Sequence, residues 1–193
     1  MKARGWSVCD IILISGDAYI DHPSFGVPII ARTLEAAGFR VGIIAQPDWH
    51  NDADFMALGA PRLFFGISSG NMDSMVNHYT AQRRLRSDDA YSPQGKSGKR
   101  PDRAVMIYTN IIKRLYKGIP VLIGGVEASL RRVAHYDFWQ NKVRNSILAD
   151  SKADLLIYGM AEHTITDLAQ KLNAGKHISE LNDLPSTVCF CKE

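Results

Sequence analysis

The sequence predicts an α/β protein with a doubly wound, mainly parallel sheet of about five strands. Short apolar runs rich in β-branched residues alternate with amphipathic helical segments through most of the chain. One such run, at residues 119–123, passes directly into Gly124 and Gly125, as a buried parallel strand does when the chain turns sharply into a helix. The predicted fold is therefore Rossmann-like, and its ligands are expected at the carboxyl ends of the strands.

Each element follows from a local pattern. Strands are predicted at residues 8–14, 40–45, 62–67, 119–123 and 154–158, with one further edge strand at 185–190. Helices are predicted at residues 28–37, 52–59, 103–116 and 162–172, where apolar residues recur at helical spacing. Pro28 suits a first helical turn, and Gly38, Gly118 and Gly175 stand where three of these helices should end.

Composition favours an ordinary globular domain of 193 residues, 46% hydrophobic and 22% charged. We expect a single domain over 1–193 with a basic surface excursion at about 72–103. No apolar run approaches the ~20 residues of a membrane span, and the amino terminus lacks the apolar core of a signal peptide. These features predict a cytoplasmic protein with no membrane partner.

The three cysteines give no disulfide framework. Cys9 opens an apolar strand and is predicted to be a buried thiol. Cys189 and Cys191 would share one face of a strand, but no further ligand lies nearby in the sequence, so we predict no metal site.

Polar and small residues gather where the predicted strands end. Because the carboxyl ends of parallel strands meet at one edge, these residues could converge on a cofactor or substrate. The alternative is local, since Asp and Ser cap helices and form turns, and Glu suits the first turn of a helix. The candidates are Ser15, Asp17, Asp21, His22, Ser68, Gly124, Gly125, Glu127, Ser129 and Glu162.

Positive charge concentrates in residues 80–103, where seven Lys or Arg stand against three Asp, although the whole chain carries only +3. Such a segment could bind RNA or another anion, or it could simply be a solvated loop. The candidate anion-binding residues are Arg83, Arg84 and Arg86 within it and Arg131 and Arg132 beyond it. The Gly-Lys pair at 95–96 is no Walker phosphate loop, since Ala90 stands where the motif needs glycine.

Four longer strings carry a family resemblance: residues 15–26, 44–49, 124–137 and 150–159. Through them the chain resembles the N-terminal domain of the YgiQ-type uncharacterised radical SAM proteins. The resemblance implies a radical SAM barrel in the same parent protein as the partner of this domain. It also implies a 4Fe-4S cluster and S-adenosylmethionine as cofactors of the parent, and a layout similar to cobalamin-binding domains.

Two departures limit what this chain can do alone. The cluster motif Cys-x-x-x-Cys-x-x-Cys is absent, so we predict no catalytic residue here. The base-off cobalamin signature Asp-x-His-x-x-Gly is not matched, because Asp21 and His22 are adjacent. Some relatives bind a corrin without a histidine ligand, so cobalamin stays a candidate cofactor.

The resulting expectation is an accessory domain that covers the barrel and helps to hold substrate or a second cofactor. The alternatives are an RNA- or anion-binding module acting through residues 83–103, and an interaction module with no ligand.

Overall fold

The computed structural model describes residues 1–190, and within them eight strands form two sheets. The main sheet has six strands in the order β2-β1-β3-β4-β7-β8, and its first five strands run parallel. β8 pairs antiparallel with β7 at one edge. The strands are β1 (Ile11–Ser15), β2 (Val41–Ala45), β3 (Phe64–Ser68), β4 (Val121–Gly124), β5 (His135–Asp137), β6 (Lys142–Arg144), β7 (Leu155–Ile157) and β8 (Thr187–Val188).

Helices cover both faces of the main sheet, because strand residues alternate between them. Ile11 and Leu13 face a core that includes Leu34 and Leu168, whereas Ile12 and Ile14 face a second core that includes Tyr108. The helices are α1 (Gly26–Ala36), α2 (Ala53–Met56), α3 (Ser74–His78), α4 (Ala104–Leu115), α5 (Gly125–Leu130), α6 (Ile147–Ser151) and α7 (Glu162–Asn173). Helices α1 and α7 therefore share one face of the sheet, and α4 covers the other.

The structure confirms the predicted α/β fold with its mainly parallel sheet, and the sixth strand, β8, lies at the edge where the sequence placed it. The sequence analysis missed the antiparallel hairpin β5–β6, because its three-residue strands are too short and too exposed to show an apolar pattern. It also missed the short helices α3 and α6. Cys9 is buried as predicted, and Cys191 lies outside the described residues.

The excursion at 72–103 differs in one respect from a simple surface loop. Most of its residues from 81 to 99 are exposed, as expected. Arg100, however, is fully buried and bonds to Asp17 in the loop after β1. The backbone amide of Ala18 also donates to the carbonyl of Tyr91 at 2.9 Å. The excursion is thus attached to the sheet by a buried ion pair, which its polar composition did not reveal.

Across the described part of the chain, no helix is long and apolar enough to cross a bilayer.

Candidate functional site

A cleft of about 300 Å³ opens at the carboxyl ends of β1, β3, β4 and β7. The amino-terminal turns of α1 and α7 form its walls, with Val27 and Ile165 among the apolar side chains. Leu13, Ile67 and Ile123 contribute to its floor. Six glycines also line it: Gly26, Gly66, Gly70, Gly124, Gly125 and Gly159. We call this site the glycine cleft.

Gly125 shows why glycine is needed here. Its φ of +80° lies in the left-handed region, and a Cβ added to it would stand 2.5 Å from the Ser68 hydroxyl oxygen. Gly26 differs, because a Cβ there would meet no atom within 4 Å and its backbone lies outside the left-handed region. A larger residue at Gly26, at the rim of the cleft, would therefore meet no steric obstacle at its Cβ.

Few polar groups line the glycine cleft, namely Ser68, Asn71 and Glu162. The Ser68 hydroxyl accepts a hydrogen bond from the Gly70 amide at 3.1 Å. Asn71 holds the loop after β1 in place, since its side-chain nitrogen donates to the Ser24 carbonyl and its oxygen accepts from the Gly26 amide. Glu162 stands in the first turn of α7, half-buried at the cleft wall.

Glu127, in the first turn of α5, does not line this cleft, and its side chain is fully buried. Its carboxylate accepts hydrogen bonds from the Ser74 amide at 2.9 Å, the Ser74 hydroxyl at 2.6 Å and the Val105 amide at 3.0 Å. Burial raises the pKa of this carboxyl group above its ordinary value, although these donors oppose the shift. Glu127 thus joins the first turns of α3 and α4, and none of its surface is exposed to a ligand.

Asp17 is also buried, in a cluster of charges centred on Arg100. Arg100 donates to Asp17 at 2.8 Å, to the Ser69 carbonyl at 2.7 Å and to Asp89 at 2.9 Å. Burial raises the pKa of Asp17. Burial also acts to raise the pKa of Asp89, but hydrogen bonds from the Tyr91 amide and Arg100 outweigh it and hold that pKa below its ordinary value.

The remaining strand-end candidates occupy separate places. Ser15 is buried and accepts from the Asp17 amide at 3.1 Å. Asp21 is exposed and forms an ion pair with Arg32 on α1. His22 is exposed, and its Nδ1 accepts from the Ser24 amide at 3.1 Å. The Ser129 hydroxyl accepts from the Gly159 amide at 3.3 Å.

The glycine cleft therefore brings together Ser68, Gly124, Gly125 and Glu162 of the ten strand-end candidates. It does not include Asp17, Glu127 or His22. Sequence reasoning did not predict that Arg100 is buried at the centre of this charge cluster, because an arginine among lysines and glycines is typical of a solvated loop. Within residues 1–190, no cluster of three or more His, Cys, Asp or Glu side chains is placed to hold a metal ion.

Three of the five candidate anion-binding arginines have partners within the chain. Arg83 donates to the Phe138 carbonyl and lies over the Phe138 ring at 4.3 Å. Arg131 pairs with Asp73, and Arg132 donates to the Ser129 carbonyl at 2.7 Å. Arg84 and Arg86 have exposed side chains. Anion binding through this segment stays a prediction, carried mainly by those two residues.

Comparison with known proteins identifies the family. A family model described as radical SAM N-terminal matches residues 1–193. The chain belongs to the radical SAM N-terminal family. Its relatives include the UPF0313 protein YgiQ of Escherichia coli, 58% identical over the whole chain, and a UPF0313 protein of Pseudomonas syringae, 59% identical over 97% of it.

The chain spans about a quarter of the length of these relatives, 26% and 24% respectively. Among solved structures, it is similar to the radical S-adenosylmethionine methyltransferase TsrM of Kitasatospora setae, solved with cobalamin and a [4Fe-4S] cluster bound. That match has a TM-score of 0.61 at 15% identity and covers 94% of this chain and 29% of the other. At this identity the likeness supports the fold alone.

Proposed function

We propose that this chain is the accessory N-terminal domain of a radical SAM enzyme, and that its glycine cleft holds part of a second cofactor or of the substrate. The observation that carries the proposal is the position of the cleft. It opens at the carboxyl ends of parallel strands, where open α/β sheets bind their ligands. Its glycines let a ligand approach the backbone closely, and its apolar floor favours a flat, poorly hydrated group.

The radical SAM barrel of the same parent protein is the proposed partner. Its proposed docking face is the edge of the sheet formed by the carboxyl ends of the parallel strands. Several large apolar side chains are exposed in the segments that follow β1, β4 and β7, including α5, and a contiguous set of them is typical of a surface that a partner covers. They are Ile20, Val126, Leu130, Val133 and Met160. The relatives' additional length, about three times that of this chain, leaves room for the barrel.

The cysteines of this chain do not suit an iron–sulfur cluster. Cys9 is 1% exposed and lies in the core, and the three-cysteine spacing is missing from the sequence. The cluster and S-adenosylmethionine therefore belong, in our proposal, to the rest of the parent. Catalysis is not assigned to any residue of this chain.

Cobalamin is the first candidate for the second cofactor, and the glycine cleft fits part of it. Ser68, Gly124 and Gly125 would contact an inserted group, and Glu162 would face it from the wall. The residues lining the cleft include no histidine, and His22 is exposed to solvent, so binding would proceed without a histidine ligand. Bound cobalamin supplies methyl-transfer chemistry, whereas these residues would only bind it and exclude water.

The test is to mix the purified chain with excess hydroxocobalamin, desalt it and record the visible spectrum. We expect a retained corrin band that Gly26→Leu removes, because it places a bulky side chain at a residue that lines the cleft, where the backbone can accept it. Ala36→Leu is the matched control, since it adds bulk to an exposed site at the other end of α1. Its spectrum should match that of the unaltered chain.

Absence of a band in the unaltered chain would count against cobalamin in this domain. A band that survives Gly26→Leu would place the corrin elsewhere. The interaction-only alternative predicts no band and, in the parent enzyme, full activity for a correctly folded Gly26→Leu variant.

A further inference from the structure

The hairpin β5–β6 turns an apolar side towards solvent. Tyr136 and Val143 are cross-strand partners on this side, 59% and 72% exposed. Because successive strand residues point to opposite sides, Asp137 lies on the inner side, where it is buried and pairs with Arg103. The Tyr136 hydroxyl donates to the side chain of Asn141. The hairpin is thus fixed to the fold through its inner side and holds an exposed aromatic ring on its outer side.

A loop of the excursion, residues 79–86, packs against the turn of this hairpin. The ring centroids of Tyr79 and Trp139 lie 4.8 Å apart, and those of Trp139 and Phe138 lie 5.4 Å apart. Arg83 lies over the Phe138 ring at 4.3 Å and donates to the Phe138 carbonyl. Phe138 itself is 46% exposed. We call the joint surface of residues 79–86 and 136–143 the aromatic surface.

The aromatic surface carries positive charge that the rest of the fold does not neutralise. Its cations are Arg83, Arg84, Arg86 and Lys142, and within residues 1–190 none of them forms an ion pair. Its one carboxylate, Asp137, is already paired with Arg103. Two acids border it, Asp88 and Asp102, and Asp102 already contacts His78 and the Tyr79 hydroxyl. The surface therefore keeps a net positive charge.

Exposed aromatic rings beside unpaired cations favour a polyanion that also carries flat groups. Single-stranded nucleic acid has both features, because its bases stack on aromatic side chains while its phosphates follow a basic surface. A lipid bilayer suits this surface less well. The tip of the hairpin, Gln140 and Asn141, is polar and exposed, whereas an inserting segment needs apolar groups at its leading edge.

We propose that the aromatic surface binds single-stranded nucleic acid. Bases stack on Tyr136 and Phe138, and the phosphates contact Arg84, Arg86 and Lys142. The site includes the hairpin β5–β6, which no basic or apolar pattern in the sequence indicated. It is separate from the glycine cleft and does not rest on the function proposed for that cleft.

The probe is a fluorescent oligothymidylate of about ten nucleotides, within the usual range of such sites, titrated with the 193-residue chain and followed by anisotropy. We expect saturable binding whose association constant falls linearly with salt concentration on logarithmic axes. An abasic deoxyribose-phosphate oligomer of the same length carries the same charge without bases. It should bind at least about fivefold more weakly, since the stacking of even one base contributes that much.

Tyr136→Ala should weaken oligothymidylate binding at least about fivefold, the loss expected for one stacked base, whereas Tyr136→Trp should retain it. Tyr19→Ala is the matched control, because Tyr19 is also exposed, at 49%, but lies beside β2 at the other edge of the sheet. It should leave the affinity unchanged.

The charge contacts have their own pair of variants. Arg84→Gln should reduce the steepness of the salt dependence by about 0.7, the value for one phosphate contact to a single strand. Lys117→Gln removes an exposed cation between α4 and β4, away from the aromatic surface, and should leave that slope unchanged.

The proposal is overturned if oligothymidylate gives no saturable binding, or if the abasic oligomer binds equally well. It is also overturned if Tyr136→Ala and Tyr19→Ala have the same affinity. Binding to vesicles of phosphatidylserine and phosphatidylcholine, without binding to oligothymidylate, would make the aromatic surface a membrane contact instead.

Discussion

The glycine cleft and the buried charges around Arg100 lie at the same edge of the sheet, yet they use their residues in opposite ways. In the cleft, small residues leave space and the polar groups are few. Around Arg100, two carboxylates and a carbonyl surround one guanidinium, and Arg100 and Asp17 are 0% and 3% exposed. One region is open to a ligand, and the other fixes the excursion to the fold.

The contrast separates residues whose side chains look functional from residues that line an open cleft. Asp17 and Glu127 have the chemistry of catalytic groups, but every contact described for them is internal. The glycines have no side-chain chemistry, but they line an opening of about 300 Å³ at the ends of β1, β3 and β4. Burial decides between the two, and sequence alone does not report it.

The largest expected effect comes from breaking the charge cluster. Arg100→Met should lower the free energy of unfolding by about 3–5 kcal/mol, because Asp17 and Asp89 would stay buried without their counter-charge. Urea unfolding measures this loss, and limited proteolysis should show faster cleavage within residues 79–99.

Lys99→Met is the matched control, an exposed cation of the same excursion, and it should change stability by less than about 0.5 kcal/mol. Equal effects of the two substitutions would mean that Arg100 does not hold the excursion, and the contrast between the two regions would fail.

Most of the sheet could be predicted from sequence because its strands are continuous apolar runs that end at glycine or polar residues. β1, β3 and β4 are five, five and four residues long and almost wholly buried, which gives them their pattern. The hairpin β5–β6 could not be found this way, since hydrogen bonds between two short exposed strands leave no apolar period.

The candidate site was predictable only in part. The Gly124-Gly125 pair marks the strand end correctly, because a positive φ at Gly125 is a local requirement of the turn. The role of Arg100 depends on Asp17, which is 83 residues away in the chain, and on Asp89. Such a pairing is set by tertiary packing, and no short pattern encodes it.

A matched pair of glutamates sharpens the comparison further. Glu127 and Glu162 both stand in the first turn of a helix that follows a strand, but Glu127 is fully buried and Glu162 lines the glycine cleft. The same substitution, Glu to Gln, can therefore be made at a buried position and at the cleft wall, and its effect on stability can be measured by urea unfolding.

For Glu127, burial raises the pKa in the folded protein above the ordinary value of 4.5. Stability linked to the protonated form is fully present below the unfolded pKa and is lost as pH rises through the folded pKa. Glutamine imitates the protonated acid at every pH. Glu127→Gln should therefore gain stability relative to the unaltered chain as pH rises above the ordinary value of 4.5.

A constant stability difference across that range would mean that the three donors around Glu127 fully offset its burial. The group would then be an ordinary carboxylate, and its hydrogen bonds to Ser74 and Val105 would count as charge-assisted links between α3 and α4.

The smallest effect is expected on the open side. Glu162→Gln removes a negative charge from the first turn of α7, where it favours the helix dipole, and should cost about 0.3–1 kcal/mol at neutral pH. Urea unfolding at neutral pH measures this cost, which we expect to be a loss and not a gain because Glu162 is only half-buried at the cleft wall. A gain in stability like that of Glu127→Gln would show that Glu162 is closed off from solvent, and the glycine cleft would then not be open at this wall.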